Sequence, residues 1–198
     1  MRDWAAIGVY TGLNIWLQVA LLHFFSWWML PITVLAFIAT DFITAHVHWL
    51  VDTFGDVRTH PLKDIIYPFR EHHTDQDIIT THDFAVANGN SALAVIPLML
   101  AACAISSWHP LWAAFIGGIA GFSVLTNQIH KWAHQKHKGP IRWAQNLGII
   151  LTPELHEYHH SNLGVDFGIT SNLCNAILRP GYWRWLESQV PWRIQRET

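Results

Sequence analysis

Four long apolar stretches constrain this chain more than any other feature of its sequence. They cover residues 4–22, 27–50, 85–107 and 111–128. A helix rises about 1.5 Å per residue, so about 20 apolar residues are enough to cross the hydrocarbon core of a bilayer. The pattern predicts an all-α integral membrane protein with four transmembrane helices. We expect residues 1–198 to form a single membrane-bound domain.

Composition supports a membrane location over the alternative of a soluble all-α protein with buried helices. Charged residues make up only 13% of the chain, about half their share in an ordinary soluble domain. The net charge of −2 gives no support for nucleic-acid binding. Several tryptophans fall near the predicted helix ends, where membrane proteins concentrate aromatic side chains: Trp4, Trp27, Trp28, Trp49, Trp108, Trp112 and Trp132.

The distribution of cationic residues predicts the orientation. Four crossings place the N-terminus, the loop between the second and third helices, and the C-terminal tail on one side. All twelve Lys and Arg residues belong to these three segments, and the positive-inside rule makes that side cytoplasmic. This predicts a multi-pass protein of the inner membrane if the cell is bacterial, or of the endoplasmic reticulum if it is eukaryotic. Two tail segments are expected to lie in the membrane interface: 142–152, which is apolar but too short to span, and 181–187, which mixes Trp with Arg.

The histidines follow the same asymmetry as the cationic residues. The chain has fourteen, and all except His23 and His109 fall in the predicted cytoplasmic segments or at the adjoining helix ends. This predicts a cytoplasmic histidine-rich cap on the four helices. Residues four apart on a helix share a face, whereas adjacent residues diverge by about 100° and can serve two different ions. Three motifs have such spacing: the pair His72-His73, the HxxxH of His130 and His134, and the HxxHH of His156, His159 and His160.

Four other polar residues are candidates for supporting the metal ligands. Asp41 lies within a predicted transmembrane helix, where an ionisable side chain is costly and usually functional. We expect it to hold the proton of a ligand imidazole. Asp52 lies on the same helical face as Asp41 and His48, and Asn127 shares a face with His130. Glu157, within the HxxHH motif, completes the set.

The number of histidines favours a pair of metal ions over a single one. Imidazole suits zinc, copper, nickel and iron, but a zinc site needs only three or four ligands. Eight or nine convergent histidines therefore fit two ions. A carboxylate-bridged di-iron site would require two Glu-x-x-His motifs, and only Glu157 to His160 has this pattern. A redox-active pair at a membrane surface suggests oxygen activation on a lipid chain.

The order of the motifs resembles that of the Kua/CarF lipid desaturases, the family of plasmanylethanolamine desaturases. The resemblance covers residues 46–186. The matching segments are His48-Trp-Leu-Val-Asp52-Thr, Pro68-Phe-Arg-Glu-His-His73, Ile79-Thr-Thr-His-Asp-Phe84, Asn127-Gln-Ile-His-Lys-Trp-Ala-His134 and His156-Glu-Tyr-His-His160. The sequence departs from the family pattern at Gln76 and Asn90, which border the loop and could alter how the substrate fits.

This resemblance implies an activity, cofactors and a ligand set. The implied reaction is the oxygen-dependent introduction of a vinyl-ether double bond into the sn-1 O-alkyl chain of an ether phospholipid. The implied cofactors are two iron ions with O2 as co-substrate. Electrons would come from an external cytochrome b5-like or ferredoxin-like protein, because the chain has no flavin or haem motif. The implied ligands are His48, His72, His73, His130, His134, His156, His159 and His160, with His82 as a ninth.

Other functions also fit the sequence. A related enzyme could desaturate or hydroxylate a fatty-acyl chain of a phospholipid with the same histidine-rich metal pair. A non-enzymatic membrane metal transporter or sensor is the alternative from another class, but it would need polar ligands along the spans. The sequence does not indicate an oligomeric state.

Overall fold

A computed structural model describes residues 1–54 and 63–190 of the chain. Arg58 and His60, as well as the cationic residues of the tail beyond 190, lie outside the described residues. The described parts contain helices and no strand, which confirms the all-α prediction. In chain order the helices are α1 (Arg2–Leu22), α2 (Met29–Thr53), α3 (Lys63–Thr74), α4 (Ile78–Thr81), α5 (Phe84–Ile105), α6 (Pro110–Ala133), α7 (Gly139–Asn146), α8 (Pro153–Ser161), α9 (Leu173–Ile177) and α10 (Pro180–Ser188).

Four of these helices are long and apolar enough to cross a membrane, as predicted. They are α1, α2, α5 and α6, with lengths of 21, 25, 22 and 24 residues. Their bounds agree with the predicted segments to within a few residues, and α6 continues beyond its apolar part as far as Ala133. The chain is a multi-pass membrane protein.

The start of α5 shows why its polar sequence is still helical. The Asp83 side chain accepts a hydrogen bond from the Val86 backbone N–H at 2.8 Å and so caps the first turn. Asn88 donates to the Phe84 carbonyl at 2.8 Å. Gly89 lies so close to α1 that a Cβ at this position would be 2.5 Å from Asp3 Cβ. A small residue is therefore required where α1 and α5 pack together.

The chain forms two compact units, of which the first comprises residues 1–40 and 82–128. Its core is built from small and apolar side chains, including Leu17, Ala92, Met99 and Ala120. Many large apolar side chains on its helices are exposed, for example Trp16 and Leu100. This is the surface expected of helices that face lipid.

The second unit comprises the described residues within 41–81 and 129–198. One of its apolar clusters surrounds the fully buried side chains of Phe167 and Trp183, and another contains Ile129 and Leu151. The described part of the tail, up to residue 190, is therefore folded and packed rather than a linker. The proposal that residues 1–198 act as a single domain stays a prediction, as does the interfacial position of segments 142–152 and 181–187.

Candidate metal centre

Five histidines of the second unit each bring a ring nitrogen to within 4.8 Å of the others. His130 lies in the last turn of α6, and His134 follows directly after that helix. His156 and His160 are one turn apart on α8, and His72 lies on α3. The Nε2 atom of His156 is 2.8, 2.7 and 3.0 Å from the Nε2 atoms of His130, His134 and His160, respectively. We call these residues the five-histidine group.

Three further histidines and one carboxylate of the same unit form a second group. It consists of His48 and Asp52 on α2, His73 on α3 and His159 on α8. The Asp52 Oδ2 atom lies 3.1 Å from Nε2 of both His48 and His73, and 3.7 Å from Nε2 of His159. We call these residues the mixed group.

Adjacent histidines contribute to different groups, as the helical geometry predicts. His72 belongs to the five-histidine group and His73 to the mixed group, and His160 and His159 are divided in the same way. Because α3 and α8 are helical at these positions, neighbouring side chains diverge by about 100°. Two helices thus serve two sites with one pair of residues each.

The local sequence determines where α8 begins. The Thr152 side chain accepts a hydrogen bond from the Leu155 backbone N–H, and Pro153 occupies the first helical position, where its missing N–H costs nothing. The Thr152 N–H is itself bonded to the Asn172 side-chain oxygen at 3.1 Å. This cap fixes the start of α8, so that His156 lies about one turn after it and His159 and His160 lie in the last turn.

The nitrogen arrangement fits a bound cation better than a hydrogen-bonded network. A ring nitrogen offers either one proton or one lone pair, so Nε2 of His156 can satisfy only one of its three neighbours. Within the described part of the chain, the buried Nε2 atoms of His48, His72 and His159 make no hydrogen bond. Buried polar atoms without partners are rare in native proteins. Both groups can therefore hold a metal ion at the point where their nitrogens converge.

Burial keeps these imidazoles neutral, which is the form that binds a metal. Loss of hydration is the largest cause, and the neighbouring imidazoles add to it. It lowers the pKa of His134 to about 4, that of His159 to about 3 and that of His160 to about 2. The pKa values of His72 and His156 are also lowered, well below the ordinary range. Protons therefore do not compete for these ligands near neutral pH.

Two ligand candidates are oriented by backbone carbonyls that the sequence analysis did not identify. The His48 Nδ1 atom lies 2.9 Å from the Phe167 carbonyl oxygen, and the His159 Nδ1 atom lies 2.6 Å from that of Val165. A carbonyl only accepts, so each Nδ1 donates and each Nε2 is left with its lone pair. Such outer contacts fix ring orientation in metal sites.

The predicted supporting residues take different positions. Asp52 lies among the ligand atoms of the mixed group rather than behind them. Asp41 is fully buried, and its carboxylate accepts hydrogen bonds from Ser171 and Cys174 instead of holding a ligand imidazole. Asn127 donates to the Ala87 carbonyl and to Ser91. Glu157 is exposed on α8.

Of the nine histidines predicted as ligands, eight belong to the two groups. His82 is half-buried and belongs to neither group among the described residues, so its role stays a prediction. His46, which also lies outside both groups, bonds through its two nitrogens to the Phe42 carbonyl and the Tyr182 hydroxyl, each at 2.7 Å. His23 and His109 are exposed.

Comparison with known protein families shows to which family the chain belongs. Residues 37–197 match the family model described as the lipid desaturase domain. This range contains every member of both groups. The chain belongs to the lipid desaturase family. The resemblance to the Kua/CarF lipid desaturases is thereby confirmed.

Curated relatives of this lipid desaturase are found in bacteria, animals and plants. Plasmanylethanolamine desaturase of Myxococcus xanthus is 37% identical over 141 residues, which cover 69% of this chain and 50% of that protein. Plasmanylethanolamine desaturase 1 of Mus musculus is 33% identical over 208 residues, covering 96% of this chain and 76% of that protein. Fatty acid desaturase 4, chloroplastic, of Arabidopsis thaliana is 29% identical over 147 residues, covering 72% and 45%. The match thus spans half the length of the Myxococcus relative. No solved structure matches the chain significantly.

Proposed function

We propose that this lipid desaturase binds two iron ions and forms the vinyl-ether bond of a plasmalogen from a plasmanylethanolamine. The observation that carries the proposal is the convergence of eight histidines and Asp52 on two separate points in one unit. Two relatives with the name plasmanylethanolamine desaturase support the choice of substrate. The ligand assignment is the five-histidine group for one ion and the mixed group for the other.

Desaturation removes one hydrogen from each of the first two carbons of the O-alkyl chain. When bound, the iron pair supplies oxygen activation: O2 takes two electrons from an external donor and two from the alkyl chain, and leaves as two molecules of water. Acid–base side chains alone cannot break such unactivated C–H bonds. The donor is a separate cytochrome b5-like or ferredoxin-like protein.

The residues of the chain would hold and orient the metal ions and exclude water from their surroundings. The neutral, buried imidazoles would bind the metal directly, because no proton has to leave the binding nitrogen first. Phe69 and Phe167 pack against the His48 ring, with centroid distances of 5.5 and 5.7 Å. Apolar walls of this kind exclude water from the mixed group and strengthen electrostatic interactions within it.

The first unit offers room for a hydrocarbon chain. It contains a cavity of about 610 Å³ whose lining includes Ile7, Leu21, Phe25, Met29 and Phe122. This volume lies in the range of small-molecule binding sites, and the lining is mainly apolar. We assign the cavity to the hydrocarbon portion of a membrane lipid.

The proposed metal centre faces the cytoplasm, where the electron donor is found. The support for this orientation is the predicted placement of all Lys and Arg residues on one side of the four crossings. In a background lacking Cys103 and Cys174, Ser107→Cys should react with a membrane-impermeant thiol reagent in intact cells. Ser188→Cys should react only after permeabilisation. Both serines are exposed in their units, so labelling reports sidedness. Labelling of Ser188→Cys in sealed cells would place the tail, and with it the histidines of α8, outside.

Expression in cells that make alkyl ether phospholipids but no plasmalogens tests the function. The cells should acquire acid-labile vinyl-ether lipids, detected by the aldehydes that acid releases. A catalytically dead control, His134→Ala, should yield none. New double bonds in acyl chains, with no vinyl ether, would instead favour the acyl-desaturase alternative, which the similarity to Arabidopsis fatty acid desaturase 4 supports.

The metal-transporter alternative is disfavoured by the surroundings of Asp41. A transport path needs polar groups within the spans that exchange the ion between them. The carboxylate of Asp41, deep in α2, is instead occupied by three hydrogen bonds from Ser171 and Cys174.

A further inference from the structure

The connection between α8 and α9, residues 162–172, contacts the mixed group through two backbone carbonyls and through the Phe167 ring, which packs against the rings of His48 and His159. The carbonyls of Val165 and Phe167 accept the Nδ1–H of His159 and His48. None of the side chains in this connection is a member of either metal group. The orientation of two ligand rings therefore depends on where a backbone segment is held.

One anchor of this connection is the side-chain amide of Asn175. Its Nδ2 donates to the Gly168 carbonyl at 2.9 Å, and its Oδ1 accepts from the Gly168 N–H at 2.7 Å. The approach is so close that a Cβ on residue 168 would lie 2.6 Å from Asn175 Oδ1. Gly168 directly follows Phe167, so this reciprocal pair fixes the peptide that accepts from His48.

The second anchor is the carboxylate of Asp41. Its Oδ1 accepts from the Ser171 N–H at 2.8 Å, and its Oδ2 accepts from the Ser171 hydroxyl at 2.6 Å and the Cys174 N–H at 2.9 Å. Asp41 and His48 are seven residues apart on α2, on the same face. The same helix thus holds the end of the connection through Asp41 and presents the ligand that the connection orients.

We propose that Asp41 and Asn175 are positioning residues for the metal ion of the mixed group. They act through the carbonyls of Val165 and Phe167, which hold His48 and His159 with Nε2 free to bind the ion. The inference rests on the metal site of the proposed function but not on its substrate. It gives a specific role to a buried carboxylate that touches no ligand ring.

Two variants separate this role from general stabilisation. Asp41→Asn puts an amide NH2 where an acceptor is needed for Ser171 or Cys174, and Asn175→Ala removes both bonds to Gly168. Loss of such outer contacts typically weakens metal binding by about 10–100-fold. We expect the ion of the mixed group to be released at least about 10-fold faster to a chelator, and the ion of the five-histidine group to be released at an unchanged rate.

The matched control is Tyr182→Phe. It removes the partly buried hydrogen bond from the Tyr182 hydroxyl to Nε2 of His46, which is 2.7 Å long, and His46 belongs to neither group. Release of both ions from this variant should match the unmodified protein.

Purified protein loaded anaerobically with ⁵⁷Fe²⁺ provides the readout. Chelator release is followed together with the Mössbauer spectrum, and His73→Ala and His134→Ala supply reference spectra for damage to the mixed and five-histidine groups. The spectra of Asp41→Asn and Asn175→Ala should change in the manner of His73→Ala. Circular dichroism verifies helicity, and if Asp41→Asn fails to fold, Asn175→Ala and Gly168→Ala decide the question.

Unchanged spectra and release rates in the folded variants would overturn the proposal, and so would equal weakening of both ions. Either result is independent of the reaction, because no lipid is present. If the unmodified protein binds two irons but forms no vinyl ether, the proposed substrate is wrong while the positioning role still stands or falls on these spectra.

Discussion

His134→Ala and His73→Ala, one from each metal group, are expected to abolish vinyl-ether formation in the expression assay. In the proposed metal centre each removes a direct metal bond, so the loss should exceed the roughly 100-fold upper range for supporting contacts. The two variants should fail equally, because the proposed reaction needs both ions. The measurement is the acid-released aldehyde per unit of membrane-inserted protein.

His23→Ala and His109→Ala are the matched controls, because both side chains are exposed and lie outside the second unit. They should retain activity close to that of the unmodified protein. Full activity in His134→Ala would show that the five-histidine group is not a metal site. His82→Ala tests the ninth ligand implied by the family motifs, and a loss as complete as that of His134→Ala would support it.

The second large effect is expected in metal content. Protein reconstituted anaerobically with ferrous iron should bind about two irons per chain, since the described residues supply two convergent ligand sets. After dialysis against a chelator, His73→Ala should retain about one, because the five-histidine group is intact. The histidine-rich ligands also suit other metals, so iron must be compared with zinc, copper and nickel by elemental analysis. One tightly bound zinc and no iron would contradict the di-iron assignment.

Part of the convergence of the histidines was predictable because helical spacing is visible in sequence. The HxxxH of His130 and His134 and the HxxHH of α8 each project side chains to one region, and adjacent histidines must diverge. The four apolar helices were predictable because a bilayer fixes their length. These features depend on local geometry, which residue order specifies directly.

Other features depended on contacts between distant segments. The partners of Asp41 lie 130 and 133 residues away, so its membrane position suggested importance, but the partner we expected, a ligand imidazole, was wrong. The acceptors for His48 and His159 are backbone carbonyls. Every residue has one, so the sequence does not show which carbonyls accept these bonds. Asp52 was expected behind the ligands, whereas it lies among them. The sequence could not show this, because the distances from Asp52 to His73 and His159 depend on how α2, α3 and α8 pack.

The mass of the product lipid tests the central claim most directly. Cells expressing the protein are supplied with an alkylglycerol that carries two deuterium atoms on each of the first two carbons of the O-alkyl chain. The account predicts a vinyl-ether phospholipid that has lost one deuterium from each of these carbons and gained no oxygen, and no such lipid with His134→Ala. Alkyl chains that retain all four deuterium atoms, or that lose one and gain a hydroxyl, would contradict it.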